Sequence, residues 1–236
     1  MNPRPYEARL LNVTCLNERT KHFEFETLGA TRLAFQPGQF ISLNVELNGQ
    51  QYVRAYSIAS APRPDDRFDL CLNIVPGGVV SRWLFNRKPG DTIRFTAPFG
   101  FFTLHQPLDP VSAFIATGTG IAPIRAMLQD LQRRPPAAPV WLIFGVRTEA
   151  DILYRYEFEA LAAQLPDFRF IPTLSRPPRG WIGHTGYVQT QVERYLAGVG
   201  GLRAYICGLA TMVDEVRQRL RTMGYDRKAL SYEKYD

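Results

Sequence analysis

The chain has 236 residues, of which 45% are hydrophobic, and a formal net charge of +6. This length allows one large or two ordinary domains, and no apolar run approaches the ~20 residues that cross a bilayer, so we expect a soluble protein with no membrane partner. The first residues lack the apolar stretch of a secretory signal, so we expect a cytoplasmic protein. The positive charge comes mostly from arginine, without a basic run or an aromatic-basic RNA motif, which argues against nucleic acid as a partner.

The three cysteines, Cys15, Cys71 and Cys207, lie far apart in the sequence. An odd number without a Cys-x-x-Cys pair argues against a disulfide framework and against a metal or iron–sulfur site. Any one-electron carrier that works with this chain would then be a separate molecule.

The first half of the chain has the pattern of short β-strands. Apolar and β-branched residues recur in five runs, separated by turn clusters rich in glycine, proline and asparagine. The runs are Ala8–Leu16, His22–Leu28, Phe40–Leu47, Val53–Ala59 and Phe68–Val75. Strands at this spacing predict a small antiparallel β-barrel, and Val79–Phe85 is predicted to be its one helix.

Residues 54–57, Arg-Ala-Tyr-Ser, fall within one of these strands. Because alternate side chains of a strand share a face, Arg54 and Tyr56 should point to one side, and Ala55 and Ser57 to the other. An arginine can bind a pyrophosphate through two hydrogen bonds, and a tyrosine beside it can cover an aromatic ring. A cross-strand surface pair is the alternative explanation of the same residues.

Residues 77–81, Gly-Gly-Val-Val-Ser, open the predicted helix of this half. Backbone amides and a hydroxyl group at a helix start can form an anion site. The alternative is that Ser81 and its neighbours only cap the helix.

From about residue 108, apolar strands alternate with helices. The predicted strands are Ser112–Thr117, Val140–Val146, Phe168–Leu174 and Leu202–Ile206, and the predicted helices are Ile121–Gln132, Tyr156–Gln164, Tyr187–Leu196 and Ala210–Met223. This alternation predicts a parallel, doubly wound α/β sheet, whose ligands bind at the carboxyl ends of the strands. We therefore predict two domains, residues 1–107 and 108–236, with the first ending near Pro107 to Pro110.

The first strand of this half ends at Gly118-Thr119-Gly120, and a helix follows immediately with Pro123 in its first turn. Glycines let a backbone approach a ligand closely, and a helix start favours phosphate. A Gly-x-Gly turn also occurs where only tight packing between strand and helix is needed, so the turn alone does not decide between the two.

Other strand ends add polar groups, at Gly145 to Arg147, at Ser175-Arg176 and at Cys207-Gly208. A hydroxyl and a guanidinium at Ser175 and Arg176 suit a 2′-phosphate, whereas a site for NAD usually has a carboxylate for the 2′-hydroxyl. A solvated strand end is the alternative explanation.

Together these motifs resemble the ferredoxin–NADP⁺ reductase superfamily of flavoproteins. That family has Arg-x-Tyr-Ser on a barrel strand, Gly-x-x-Ser at a helix start and Gly-Thr-Gly-Ile-Ala-Pro at the first turn of a second domain, and the same motifs stand here in that order at 54–57, 78–81 and 118–123. The resemblance implies an antiparallel FAD-binding barrel followed by a Rossmann-like α/β domain that binds NAD(P). Residues 98–104 resemble the segment that closes the family's barrel.

The resemblance also implies how FAD is held. It places Arg54 and the amides of residues 79–81 at the pyrophosphate, Tyr56 on the isoalloxazine, Ser57 by its N5 atom, and Thr119 facing the flavin. The expected FAD contacts are Arg54, Ala55, Tyr56, Ser57, Gly78, Val79, Val80, Ser81, Thr119 and Tyr235.

For the nicotinamide nucleotide, the resemblance implies contacts at the strand ends. In plant-type members a Ser-Arg pair binds the 2′-phosphate and a following Lys-x-Tyr stacks its tyrosine on adenine; here Tyr187 matches, Thr185 replaces the lysine, and Arg179 could supply a charge. Residues 207–212 resemble the family's Cys-Gly-x-x-x-Met turn beside the nicotinamide. The expected NADP(H) contacts, with NAD(H) as the alternative nucleotide, are Thr117, Gly118, Gly120, Pro123, Arg147, Ser175, Arg176, Tyr187, Cys207, Gly208 and Met212.

The last residues, Ser231 to Asp236, would fray by default as a terminal segment. Plant-type reductases end in Glu-x-Tyr, which Glu233 and Tyr235 match with one residue added, and oxygenase-reductase relatives with Glu-Lys-Phe near their ends offer a second parallel. The resemblance implies that the tyrosine covers the flavin and that the glutamate joins the serine and the cysteine near N5. The expected catalytic residues are Ser57, Cys207, Glu233 and Tyr235.

The resulting hypothesis is a monomeric flavoprotein, without a metal, that transfers hydride between NADP(H) and FAD and single electrons to or from a ferredoxin or flavodoxin. The same scaffold could reduce free flavin or serve as the reductase of an oxygenase system. A plain nicotinamide dehydrogenase and a non-catalytic nucleotide-binding module are further alternatives.

Overall fold

The computed structural model describes residues 2–105, 111–134 and 138–235. Both the predicted domain boundary at 107/108 and the predicted end of the first domain near Pro107 to Pro110 lie outside these residues. The chain divides into two compact units, a barrel unit (Met1–Thr103 with Arg125–Asp130) and an α/β unit (Leu104–Ile124 with Leu131–Asp236). Among the described residues, no helix has both the length and the apolar character needed to cross a membrane.

The barrel unit is a six-stranded antiparallel sheet with the order β4-β3-β6-β1-β2-β5. Its elements are β1 (Arg4–Cys15), β2 (Thr20–Leu28), β3 (Phe40–Leu47), β4 (Gln50–Ser57), β5 (Arg67–Asn73), α1 (Val79–Phe85) and β6 (Thr92–Phe99). The two edges of the sheet meet where Ile58 bridges to Leu70 and the Ala59 N–H donates to the Asp69 carbonyl at 2.8 Å. This contact curls the sheet into the predicted barrel.

Strand β6 is the main difference from the sequence prediction, which has no strand over residues 92–97. Ile93, Phe95 and Ala97 of β6 are buried at alternate positions in the barrel core, so the period of two that marks a strand is present in the sequence. The strand lies between β3 and β1, and residues 100–104 follow it outside any strand. The barrel closes where residues 58 and 59 meet residues 69 and 70, and residues 98 and 99 of the predicted closing segment form the end of β6.

A buried carboxylate lies in the barrel unit. Asp69 is 3% exposed, and its side chain accepts hydrogen bonds from Arg63 at 2.5 Å and from Arg125 of the same unit at 3.0 Å. His22 Nε2 lies 3.7 Å from the same carboxylate, and the Ser60 hydroxyl accepts from the Asp69 N–H at 3.0 Å. A buried charge is tolerated only when it is paired in this way, so the cluster is part of what specifies the barrel.

The α/β unit is a six-stranded parallel sheet with the order β10-β9-β8-β7-β11-β12. Its elements are β7 (Val111–Thr117), α2 (Ile121–Arg133), β8 (Val140–Val146), α3 (Arg155–Gln164), β9 (Phe168–Leu174), β10 (His184–Thr185), α4 (Val188–Leu196), β11 (Leu202–Leu209), α5 (Ala210–Thr222) and β12 (Leu230–Tyr235). The predicted parallel α/β sheet is confirmed.

The strand order locates the ligand crevice of this unit. The chain runs from β7 outward through β8, β9 and β10, and then returns to β11 on the other side of β7. In such sheets ligands bind outside the carboxyl ends of the strands where the order reverses, here at the ends of β7 and β11. Two differences affect this edge: β11 continues past Ile206 to Leu209, and the final segment pairs with β11 as β12 instead of fraying.

Candidate functional site

Strand β4 carries an aromatic ring and, two residues before it, a positive charge. The Tyr56 ring packs against the barrel core, and burial raises the pKa of its hydroxyl to about 12, partly opposed by the nearby Arg54. Arg54 is exposed and donates to the Val53 carbonyl at 2.8 Å, and Ser57 is buried at the strand end, paired with Phe40 of β3. The strand thus holds a fixed ring next to an exposed guanidinium.

The glycine turn before α1 is held together by Ser81. Its hydroxyl accepts from the Val75 N–H at 3.1 Å and donates to the Gly78 carbonyl at 3.4 Å. A Cβ on Gly78 would lie 2.7 Å from the Ser81 hydroxyl, so this position requires glycine. The N-cap residue, Gly78, has no side chain that could cap the helix, and the amides of the first turn, at Val79, Val80 and Ser81, are the groups that this end can offer to an anion.

The two glycines of the turn after β7 have different surroundings. Gly118 has a φ of +53° and open space where a Cβ would be, so it can approach a ligand. A Cβ on Gly120 would lie 2.4 Å from the Cys207 carbonyl oxygen, so Gly120 is required for packing against β11. The Thr117 hydroxyl accepts from the Leu209 N–H at 3.4 Å, and a Cβ on Gly208 would lie 2.3 Å from that hydroxyl. The packing explanation therefore holds for Gly120, whereas Gly118 leaves open space in which a ligand could approach the backbone.

Helix α2 starts at Ile121, directly after a 3₁₀ turn over Gly118–Gly120, and its N-cap residue, Gly120, has no side chain that could cap it. Pro123 is its third residue, where a missing N–H breaks no helical hydrogen bond. Thr119 is half-buried in the turn. The uncapped N–H groups and the positive end of the helix dipole make this a suitable end for a phosphate.

The carboxyl ends of β8 and β9 bring two arginines together. The backbones remain paired beyond the strands, because the Ser175 N–H donates to Val146 at 3.0 Å and the Arg176 N–H donates to Arg147 at 2.8 Å. The Ser175 hydroxyl also contacts the Val146 carbonyl, at 3.4 Å. Arg147 and Arg176 are both exposed, and no acidic side chain in the described part of the chain pairs with either.

Two further predicted contacts lie near these strand ends. Tyr187 precedes α4 and is 70% exposed, so its ring has a free face. Met212 is buried on α5, and its Cε lies 3.0 Å from where a Cβ on Gly208 would be. The exposed ring suits stacking, whereas Met212 shapes the wall beside Gly208.

Three of the four predicted catalytic residues are brought together by β11 and β12. The parallel register places Glu233 beside Cys207 and Tyr235 beside Leu209. Burial raises the pKa of the Cys207 thiol well above its usual range, the Glu233 carboxylate raises it further, and a side-chain hydrogen bond with Tyr235 partly opposes both. Cys207 is therefore a neutral thiol near pH 7. Ser57, the fourth residue, belongs to the barrel unit.

Sequence reasoning missed the residues on the other face of β12. Lys234 pairs with Asp214 of α5 at 2.7 Å, and the Arg217 guanidinium lies over the Tyr232 ring at 3.7 Å from its centroid. Residues 230–235 read Leu-Ser-Tyr-Glu-Lys-Tyr, which does not alternate regularly between apolar and polar residues, so the sequence offered no clear strand signal here.

Comparisons with known proteins identify the class. Residues 7–104 match the oxidoreductase FAD-binding domain and residues 114–218 match the oxidoreductase NAD-binding domain. Ferredoxin–NADP reductase B of Sorangium cellulosum is 43% identical over 239 residues, which cover 98% of each chain. The toluate 1,2-dioxygenase electron transfer component of Pseudomonas putida is 32% identical over 98% of this chain and 67% of its own length.

A solved structure of a reductase has the same fold as this chain. The Amycolatopsis cytochrome P450 reductase GcoB superposes with a TM-score of 0.89 at 30% identity, over 98% of this chain and 70% of that chain. Fold, site and relatives define a flavoprotein oxidoreductase with an FAD-binding barrel and a nicotinamide-nucleotide-binding α/β domain. The chain belongs to the ferredoxin–NADP⁺ reductase superfamily, as the sequence motifs predicted.

Proposed function

We propose that this protein is an NADPH-dependent reductase that exchanges single electrons with a ferredoxin or flavodoxin. The observation that carries the proposal is the cluster of Cys207, Glu233 and Tyr235 at the carboxyl end of β11, beside the glycine turn that follows β7. The full-length relative from Sorangium cellulosum, named a ferredoxin–NADP reductase, supports the choice of acceptor. In this proposal the protein acts as a cytoplasmic monomer.

The residues of the barrel unit fit FAD. Arg54 is an exposed cation beside Tyr56, whose ring the barrel core holds in place, and the uncapped start of α1 adds amide donors. Arg54 and these amides would bind the pyrophosphate, Tyr56 would orient the ring system, and Ser57 would lie by N5. When bound, FAD supplies the capacity to accept a hydride and to release electrons singly.

The α/β unit fits a nicotinamide dinucleotide phosphate. Gly118 and the start of α2 would bind the pyrophosphate, because the backbone there is open and its N–H groups are uncapped. Ser175 with Arg147 and Arg176 would bind the 2′-phosphate, and Tyr187 would stack on adenine. Charge and an exposed ring at these strand ends support the assignment.

The chain's own contribution to the reaction is orientation and proton handling. Orientation of reacting groups can supply up to about 7–11 kcal/mol of barrier reduction. Cys207, as a neutral buried thiol, offers hydrogen bonding without a competing charge, and Glu233 holds or exchanges a proton beside it. Tyr235 would occupy the place of the nicotinamide ring and would have to leave before that ring could bind.

An anaerobic titration tests the proposed function. The purified protein should carry FAD, and NADPH should bleach its absorbance in a stoichiometric reaction. Adding a candidate electron acceptor, oxidised ferredoxin or oxidised flavodoxin, should then restore the spectrum of the oxidised flavin. A colourless protein would revive the plain dehydrogenase, and a bound flavin that NADPH does not bleach would favour a non-catalytic module.

A second function, as the reductase of an oxygenase system, is favoured by two observations. Residues 233–235 read Glu-Lys-Tyr, close to the Glu-Lys-Phe of oxygenase reductases, and relatives at 32–34% identity are electron transfer components of dioxygenases and monooxygenases. Reoxidation by free flavin or by an oxygenase-type acceptor, with no response to ferredoxin or flavodoxin, would select this group of functions.

Substituting Arg176 tests the nucleotide preference. Arg176→Ala should lower kcat/KM for NADPH about tenfold, the effect of losing one hydrogen bond to a charged group, and leave kcat/KM for NADH nearly unchanged. Arg169→Ala, on the second residue of β9, is the control, because it removes an exposed arginine from the opposite end of the same strand. Equal kcat/KM values for NADPH and NADH in the wild-type protein would contradict the proposed preference for NADPH.

A further inference from the structure

The two faces of β12 have different neighbours. Glu233 and Tyr235 share the face that meets Cys207, whereas Tyr232 and Lys234 share the other. The residues that contact the thiol therefore alternate with the residues that contact α5.

Four side chains connect β12 to α5, and we call them the α5 clasp: Asp214, Arg217, Tyr232 and Lys234. Asp214 accepts from Lys234 Nζ at 2.7 Å through one carboxylate oxygen and from Arg217 Nη1 at 3.1 Å through the other. The Arg217 guanidinium in turn lies 3.7 Å from the centroid of the Tyr232 ring. The Asp214 carboxylate thus contacts β12 in two ways. It pairs directly with Lys234, and it holds the Arg217 guanidinium that lies over Tyr232. The Lys234 hydrogen bond, with further help from Arg217, lowers the pKa of Asp214, so its carboxylate is charged at neutral pH.

Strand β12 needs such support. It is the edge strand of the sheet, so its backbone pairs with β11 on one side only. Of its six residues only Leu230 is buried, and this residue lies at the beginning of the strand. A short edge strand with little burial opens readily, and opening would first free the end that carries Glu233 and Tyr235.

We propose that the α5 clasp is a positioning device that holds Glu233 and Tyr235 at Cys207 and thereby limits how tightly the nicotinamide nucleotide binds. The inference rests on the proposed role of Tyr235 as the group that the nicotinamide ring displaces. Without the clasp, the nicotinamide ring would displace Tyr235 more easily, and the nucleotide would therefore bind more tightly. It would also misplace Glu233, which slows hydride transfer.

The test uses FAD-loaded protein and two kinds of measurement. Hydrogen exchange at the amides of residues 230–235 measures how readily β12 opens and does not depend on activity. Titration of the flavin spectrum with NADP⁺ measures the affinity for the nucleotide. Lys234→Gln should raise the exchange rate and the NADP⁺ affinity each about threefold, the size expected from one exposed ion pair. The double variant with Arg217→Gln should raise them about tenfold, since the cation–π contact is lost as well. Hydride transfer, measured by stopped flow, should be slower in both.

Two variants serve as controls. Lys234→Arg keeps the ion pair and should behave as the wild type. Arg221→Gln removes a charge one turn further along α5, where no hydrogen bond or ion pair joins the side chain to β12 within the described residues, and it should change neither measurement.

The outcomes separate this inference from the proposed function. Unchanged exchange in the double variant overturns the clasp, whatever the kinetics show. Faster exchange with unchanged NADP⁺ affinity overturns the positioning role, provided that Tyr235→Ser does bind NADP⁺ more tightly. If Tyr235→Ser leaves the affinity unchanged as well, the proposed displacement of Tyr235 is wrong, and the positioning role falls with it.

Discussion

Replacing Gly120 with valine should lower the rate of flavin reduction by NADPH about 100-fold while FAD stays bound. Any Cβ at this position would lie within 2.7 Å of three backbone atoms at Cys207 and Gly208, so the turn and the end of β11 have to move apart. That movement displaces the thiol and the nucleotide turn from each other, and misplacement by about 1 Å is enough for a loss of this size. Stopped-flow reduction and the flavin content of the purified variant are the measurements.

Gly200→Val is the matched control for this change. Gly200 lies in the loop before β11, has an ordinary φ and has open space where a Cβ would be. In this control variant, NADPH should reduce the flavin at the wild-type rate. FAD should remain in the Gly120 variant because Arg54, Tyr56 and residues 77–81 lie in the barrel unit. If the Gly120 variant lost both its bound FAD and its reduction by NADPH, the turn after β7 would have been assigned wrongly.

The second large effect is expected on stability. Asp69→Asn should lower the free energy of unfolding of the barrel unit by about 3 kcal/mol, because removing one partner leaves buried charge without compensation. Arg125 is only 11% exposed and Arg63 is 27% exposed, so neither guanidinium is fully solvated once the carboxylate is gone. Urea unfolding followed through the release of FAD fluorescence measures the change.

Asp65→Asn provides the comparison for that experiment. Asp65 is 48% exposed, and its contacts to Arg63 and Arg67 are 3.8 and 3.6 Å long. An exposed pair of this kind contributes less than about 1 kcal/mol, so the control should unfold close to the wild type. Equal shifts in the two variants would contradict the view that the Asp69 cluster is a buried ionic centre.

Strong local patterns predicted much of the fold. Phe40–Leu47, Val140–Val146 and Phe168–Leu174 have the same ends in the structure as in the sequence prediction, because each run is bounded by clear turn residues. Strands β10 and β12 were not predicted. The first has two residues, and the second, Leu-Ser-Tyr-Glu-Lys-Tyr, has no regular alternation of apolar and polar residues, so their strand conformation comes from pairing with β9 and β11.

The same division applies to the site. The order of three short motifs was enough to predict the superfamily and the two cofactor-binding domains, because ligand-binding backbone turns need particular residues at fixed spacing. The sequence could not assign separate roles to Gly118 and Gly120. One glycine is open and the other touches the backbone of Cys207, about 90 residues further along the chain, and only the parallel pairing of β7 with β11 creates that contact.

The amino-acid sequence by itself determined the class of this protein: the barrel strand with arginine and tyrosine, the glycine turns and the alternating α/β half are all local signals. The tertiary structure decided how Cys207, Glu233 and Tyr235, the predicted catalytic residues of the α/β unit, are brought together. Glu233 meets Cys207 through the register of two parallel strands, and α5 holds the strand that carries it through Asp214 and Arg217. These contacts join residues that are distant in sequence, and no local propensity encodes which strand edge a final segment will occupy.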